Sequence, residues 1–119
     1  MRFTEVLKGK RFDPPPIWIM RQAGRYLPEY KKIRETEPNF ISFCLNPHKA
    51  SVVTLQPIAR YNFDASIIFS DILLVLWAMN RNVRFETGIG PRLDKLISIK
   101  EIKNFAREDL TNKYQAVGQ

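Results

Sequence analysis

Two short apolar runs, each followed at once by charged or polar side chains, constrain most strongly what this chain can fold into. The first, Ile17–Met20, leads into Arg21, and the second, Ser66–Phe69, leads into Ser70 and Asp71. Such runs are too short for helices and are typical of buried strands. Because strands buried on both faces occur mainly in parallel sheets, we expect an α/β fold with helices packed against the sheet.

Helices are predicted between and after these runs. Pro28 fits the first turn of a helix in 28–37, and Asn46 is suited to cap a helix that begins at Pro47. Pro57 is expected to kink that helix or end it early. Its expected apolar stripe consists of Val52, Val53, Leu55, Ile58 and Ala59. Further helices are expected at 3–9, from Asp71 to 80 and within 97–119, with a strand in 82–91 that runs into a glycine-rich turn.

The charge balance of the 119 residues favours an anionic partner, since 19 Lys and Arg face 12 Asp and Glu, for a net charge of +7. Nucleic acid, an anionic membrane surface and a polycarboxylate ligand all fit this charge, as does a protein with merely an excess of lysine. No recognised nucleic-acid motif is present. The most apolar stretch, 67–79, is too short to span a bilayer, and no signal peptide is visible, so we expect a cytosolic protein.

Arg21, Arg25 and Asp71 are the candidate site residues, because the carboxyl ends of parallel strands share one rim where ligands bind. The planar fork of an arginine matches a carboxylate or a phosphate, and two forks four residues apart suit two such groups. Two plainer interpretations stay open. The arginines either pair with a nearby acid such as Glu29 or stay solvated, and Asp71 caps the helix that follows it.

The remaining reactive side chains favour structural roles. Cys44 is the single cysteine and lies among apolar neighbours, which predicts an inert buried thiol and a reducing compartment. His48 is the single histidine and is expected at the surface or in packing. With one histidine and one cysteine, no metal site is expected. The segment 87–91 matches neither a dinucleotide fingerprint nor a P-loop, which leaves a turn.

The segments PPIWIMRQAGRYLPEY and LQPIARYNFDASIIFSDIL closely resemble the uroporphyrinogen decarboxylase family of haem biosynthesis. The resemblance runs from about Phe12 to Ala116 and includes the GIGP turn. It implies a (β/α)8 barrel, usually a homodimer, that needs no metal or organic cofactor. It also implies removal of CO2 from the four acetate side chains of uroporphyrinogen III, which gives coproporphyrinogen III.

The resemblance also implies roles for individual residues. Arg21 and Arg25 would bind substrate carboxylates, and Asp71 would accept hydrogen bonds from the pyrrole N–H groups. The residues between the arginines, Gln22, Ala23 and Gly24, would shape the same substrate-binding loop. Asp71 and Arg21 are the expected catalytic residues.

The length of the chain differs from what the resemblance implies, because a complete barrel needs about 250 residues. We therefore expect residues 1–119 to be the N-terminal segment of a truncated barrel that does not decarboxylate by itself. Leu76 also stands where the family usually has a proline. Two alternatives remain: an inactive binding or interaction module derived from the family, and a basic nucleic-acid-binding domain.

Overall fold

Helices form most of the regular structure in the computed structural model, which describes residues 1–86, 88–95, 99 and 110–118. The first part of the predicted terminal helix, apart from Ile99, lies outside these residues. The helices are α1 Arg2–Leu7, α2 Pro28–Glu35, α3 Phe40–Cys44, α4 Pro47–Tyr61, α5 Leu73–Ala78 and α6 Leu110–Gly118. The strands are β1 Arg84–Glu86 and β2 Gly90–Arg92.

The predicted helix starts at Pro28 and Pro47 are confirmed. Proline occupies the first turn of both helices, and the side chain of Asn46 accepts a hydrogen bond from the backbone N–H of Lys49 at 2.9 Å. These signals act within a single turn, so the sequence reveals them directly. α3 was not predicted, although the Asn39 side chain caps it in the same way, by accepting from the Ser42 N–H at 3.0 Å.

The course of α4 differs in part from the prediction. Of the two predicted effects of Pro57, the early end does not occur, because the helix continues to Tyr61, and the kink stays a prediction. The buried face comprises Ala50, Val53, Thr54 and Pro57, whose spacing follows one side of a helix. Of the predicted apolar stripe only Val53 is buried, and Leu55 is 56% exposed. The prediction chose the most apolar residues, whereas packing against α2 and α3 decides which face is buried.

An aromatic cluster joins α2, α3 and the segment after α4. Leu27, Tyr30, Phe43 and Val53 form its buried centre, and Phe69 packs against them. The Phe69 ring centroid lies 5.5 Å from that of Tyr30 and 5.5 Å from that of Phe43. Tilted and edge-on ring pairs at such distances add about 0.5–1.5 kcal/mol each beyond the area that they bury. The cluster therefore fixes the second apolar run at its Phe69 end.

The prediction of buried strands at Ile17–Met20 and Ser66–Phe69 is wrong for the described structure. Neither run forms a strand, Ile19 is 50% exposed and Ile67 is 63% exposed. A strand needs neighbours that complete its ladder of hydrogen bonds. Among the described residues, one backbone hydrogen bond links the first run to the residues just before the second run. The Asp64 N–H donates it to the Ile17 oxygen at 3.1 Å. Without further strands the ladder does not form.

The sheet of the described residues is an antiparallel hairpin, not the expected parallel sheet. β1 pairs with β2 so that Phe85 lies opposite Pro91, which confirms the predicted strand and glycine-rich turn. Gly90 has a φ of 102°, a conformation that favours glycine. Helices and strands are thus combined as predicted, but no barrel is present in the part of the chain that is described. No described helix is long and apolar enough to cross a membrane.

Candidate functional site

The loop that follows Ile17–Met20 is built from two turns. The N–H of Gln22 donates to the Ile19 oxygen at 3.0 Å, and the N–H of Leu27 donates to the Gly24 oxygen at 3.1 Å. Arg21 adopts a φ of 61°, in the left-handed region where a residue with a side chain costs about 1 kcal/mol or more. Backbone strain of this kind is commonly found at functional loops. The first turn thus holds Arg21 in a conformation that it would not adopt alone.

Arg21 and Arg25 are both exposed and unpaired. Neither guanidinium forms an ion pair or a side-chain hydrogen bond with any residue in the described ranges. The structure agrees with the plainer interpretation in which they stay solvated, and not with pairing to Glu29, because Glu29 binds Arg60 instead. Arg25 does act on Tyr30, whose pKa is raised by burial and lowered slightly in return by the nearby charges of Arg34 and Arg25.

The residues between the two arginines differ in accessibility. Gln22 is buried, with 5% of its surface exposed, whereas Ala23 and Gly24 are half-buried. A Cβ added at Gly24 would lie 3.6 Å from the Arg21 oxygen, an ordinary contact distance. The space around Gly24 would therefore accommodate a residue with a side-chain Cβ in this conformation.

Asp71 is half-buried and precedes α5. One carboxylate oxygen, Oδ1, accepts a hydrogen bond at 2.8 Å from the N–H of Leu73, the first residue of α5. The N-cap of α5 is Ile72, without a side-chain cap bond, so Asp71 lies one residue before the cap that the plainer interpretation assigned to it. The second oxygen has no hydrogen-bond partner among the described residues. Asp71 therefore combines a structural bond with an oxygen that is free to accept from a ligand.

Asp71 also lies close enough to Cys44 to act on it electrostatically. Burial, with a smaller contribution from the negative charge of Asp71, raises the pKa of the Cys44 thiol to about 12. Cys44 itself is buried, as predicted. That Arg21, Arg25 and Asp71 converge on one ligand remains a prediction.

Two side-chain hydrogen bonds connect the segment around Arg21 to the segment that precedes Asp71, and a third connects the latter segment to α4. Gln22 Nε2 donates to the Ala65 oxygen at 2.9 Å, and Asp64 Oδ2 accepts from the Ile17 N–H at 2.9 Å. Thr54 Oγ1 accepts from the Phe69 N–H at 2.7 Å, two residues before Asp71. The sequence analysis did not identify Asp64 or Thr54. Their signal was weak: polar side chains in otherwise apolar surroundings.

Two cavities of the described structure lie apart from the predicted site residues. One, of about 110 Å³, is apolar and is lined by residues that include Cys44, Ala50 and Phe69. The other, of about 470 Å³, is an open groove between α3 and the end of α5. Among the described residues, no group of three or more His, Cys, Asp or Glu is placed to hold a metal ion. His48 is exposed, as predicted.

Fold and site together define a chain of mixed helices and strands, with the exposed Arg21 and Arg25 in one loop and the half-buried Asp71 in another segment. The uroporphyrinogen decarboxylase (URO-D) family model matches residues 1–118. Relatives named uroporphyrinogen decarboxylase are 51% identical over 107 residues in Caulobacter vibrioides and 60% identical over 95 residues in Sinorhizobium fredii. The chain belongs to the uroporphyrinogen decarboxylase family.

The matches cover most of this chain and a smaller part of each relative. They include 90% of the chain and 30% of the Caulobacter vibrioides protein, and 80% of the chain and 28% of the Sinorhizobium fredii protein. A relative from Acidiphilium cryptum is 55% identical over 91 residues, which are 76% of the chain and 25% of that protein. The chain thus spans about 30% of the length of the curated relatives that it matches.

Proposed function

We propose that this chain supplies the carboxylate-binding loop and the central carboxylate of a uroporphyrinogen decarboxylase. The observation that carries the proposal is the pair of exposed guanidinium groups of Arg21 and Arg25, which have no ionic partner among the described residues. Unpaired arginine forks suit bidentate binding of carboxylates, and the substrate of this chemistry carries eight. The net charge of +7 adds a long-range attraction for such an anion.

The proposed reaction removes the four acetate carboxylates of uroporphyrinogen III and yields coproporphyrinogen III. Each step breaks one C–C bond, releases CO2 and consumes one proton, so that an acetate side chain becomes a methyl group. A neutral pyrrole cannot hold the electrons that the departing CO2 leaves behind. Protonation of the ring beforehand creates a cation that accepts them.

Asp71 would stabilise that cation and accept hydrogen bonds from the pyrrole N–H groups. Its oxygen that is not engaged by Leu73 supports this role. Two opposite charges 4 Å apart attract by about 4 kcal/mol at an effective dielectric constant of 20. An attraction confined to the transition state would accelerate the reaction about a thousandfold. Arg21 would orient a carboxylate beside the reacting ring and assist proton delivery.

The complete fold, the oligomeric state and the location of the protein are proposed from its family membership. The described segment would be part of a (β/α)8 barrel in a cytoplasmic homodimer that uses no metal or organic cofactor, with residues 1–119 as one segment of that barrel. The exposed apolar runs at Ile17–Met20 and Ser66–Phe69 support this, because barrel strands would cover them. Catalysis would need the remaining part of the barrel, which the relatives have and these 119 residues do not span. The 119-residue chain would therefore bind substrate without turning it over.

The binding part of the proposal is tested by titrating the chain with uroporphyrin, the stable octacarboxylate, and with coproporphyrin, the tetracarboxylate. We expect tighter binding of uroporphyrin, and a loss of about tenfold for Arg21→Met and for Arg25→Met. Arg11→Met removes one exposed arginine outside the loop and serves as the matched control. Equal losses in all three variants, or displacement of uroporphyrin by duplex DNA, would contradict the proposal and favour a general basic surface.

The catalytic part is tested by incubating the purified chain with uroporphyrinogen and analysing the products by chromatography. The proposal expects no coproporphyrinogen above the level without protein. Clear turnover would contradict the claim that catalysis needs the part of the barrel that these 119 residues do not span.

A further inference from the structure

Gln22 is the one residue of the arginine loop, residues 21–25, that is buried, and both ends of its side-chain amide form a hydrogen bond within the protein. Its Oε1 accepts from the Ile19 N–H at 3.1 Å, and its Nε2 donates to the Ala65 oxygen at 2.9 Å. Its backbone oxygen accepts a hydrogen bond from the Tyr26 hydroxyl. With 5% of its surface exposed, little of the remaining hydrogen-bonding capacity of the amide is accessible to a ligand.

The two amide bonds of Gln22 have different consequences. The bond to Ile19 closes the turn in which Arg21 sits, beside the backbone bond between the same two residues. The bond to Ala65 crosses to the segment that leads to Phe69 and Asp71, 43 residues further along the chain. One side chain therefore links the strained turn of Arg21 to the segment that carries the carboxylate.

We infer that Gln22 is a positioning residue, which fixes Arg21 relative to the segment of Asp71 and does not itself touch the substrate. The inference rests on the proposed function, because it assigns Gln22 a role in the binding of the same anionic tetrapyrrole. Arg21 has a φ of 61° and no partner of its own among the described residues, so its placement depends on the turn around it. A buried amide whose two ends are both bound provides that rigidity.

A double-substitution cycle on the whole chain tests the inference, with uroporphyrin as the probe. Gln22→Met keeps the length of the side chain and removes both hydrogen bonds. We expect Gln22→Met to weaken binding about tenfold, as Arg21→Met does, and the double variant to be weakened about tenfold rather than a hundredfold. Gln115→Met, at an exposed glutamine of α6, is the control and should bind as the unsubstituted chain does.

The outcomes separate the inference from the proposed function. If the unsubstituted chain does not bind uroporphyrin, the proposed function fails and the inference fails with it. If it binds and folded Gln22→Met binds equally well, or if the two losses multiply to a hundredfold, the proposed function stands and the positioning role is overturned. Multiplying losses would mean that Gln22 acts independently of Arg21.

A second measurement covers the case in which Gln22→Met does not fold. In the unsubstituted chain, the side-chain NH2 protons of Gln22 should exchange slowly with solvent, both before and after uroporphyrin binds. Retained protection, together with shifted Arg21 side-chain signals, is expected if Gln22 only positions the loop. Loss of protection on binding would show that the amide leaves Ala65 for the ligand, which overturns the inference.

Discussion

Arg60 binds Glu29 through two hydrogen bonds, from Nε to Oε1 at 2.8 Å and from Nη2 to Oε2 at 3.0 Å. This bidentate pair joins α4 to α2 across 31 residues of sequence. Glu29 is therefore occupied by Arg60, and neither Arg21 nor Arg25 has an ionic partner among the described residues.

The Arg60–Glu29 pair predicts a pH dependence. The hydrogen bonds from Arg60 are the largest of the causes that lower the pKa of Glu29 from 4.5 to about 2. Because the pKa is lowered on folding, the stabilisation is fully present above pH 4.5 and is lost as the pH falls towards 2. Arg60→Met should raise the Glu29 pKa towards 4.5, measured by NMR titration of its carboxyl carbon, although the hydrogen bond to its own backbone and the charge of Lys32 continue to lower it. In the control Arg11→Met the pKa should stay near 2, and a value unchanged by Arg60→Met would contradict the assignment.

Thr54 predicts a loss of stability when its hydroxyl is removed. Its Oγ1 donates to the Ala50 oxygen at 2.7 Å and accepts from the Phe69 N–H at 2.7 Å. Thr54→Val keeps the shape but leaves the Phe69 N–H unpaired, and should lower the free energy of unfolding by about 1–3 kcal/mol. Thr54→Ser keeps the hydroxyl and should cost less, as urea denaturation would reveal. A loss for Thr54→Ser as large as that for Thr54→Val would contradict the leading role of the hydroxyl.

Cys44 is predicted to be unreactive in the folded protein. Burial, with a smaller contribution from Asp71, raises the pKa of its thiol from 9.0 to about 12. At pH 8 the thiolate fraction is then about a thousandfold below that of an unfolded cysteine, and alkylation by iodoacetamide should be slowed accordingly. Addition of urea should restore the rate. Equal rates in the folded and unfolded states would contradict the burial of Cys44.

The exposed apolar runs are predicted to drive association between copies of the chain. Ile67 is 63% exposed and belongs to a run whose backbone lacks strand partners among the described residues. Unpaired edges with apolar side chains are sites of self-association. Ile67→Lys should lower the mass measured by light scattering at high concentration, with stability changed by about 0.5 kcal/mol or less. Leu55→Lys, at a similarly exposed site of α4, is the control; an equal effect there would contradict a role for the run.

The sequence predicted those parts of the fold that depend on local chemistry. Asn46 and Pro47 mark a helix start because capping involves residues within one turn. The strand predictions failed because a strand is completed by distant partners, and apolar composition at Ile17–Met20 cannot supply them. The buried face of α4 was misassigned for the same reason, since Thr54 is buried by its contact with Phe69.

The sequence suggests the charged residues of the candidate site, whose role stays a prediction, but it does not reveal the contacts that connect them. Arg21, Arg25 and Asp71 stand out because charges follow apolar runs directly. The link from Gln22 to Ala65 and the pairing of Glu29 with Arg60 span 43 and 31 residues. Such contacts depend on how the helices and loops pack, and no local sequence pattern predicts them.

The central claim is that one anionic tetrapyrrole contacts both the arginine loop and the segment of Asp71. A map of backbone amide shifts, recorded while uroporphyrin is added to the isotope-labelled chain, tests it most directly. The account predicts that the largest shifts fall in two separate stretches, 20–25 and 70–73, and that they saturate together at one equivalent. Shifts confined to one stretch, or spread over exposed lysines elsewhere, would contradict it.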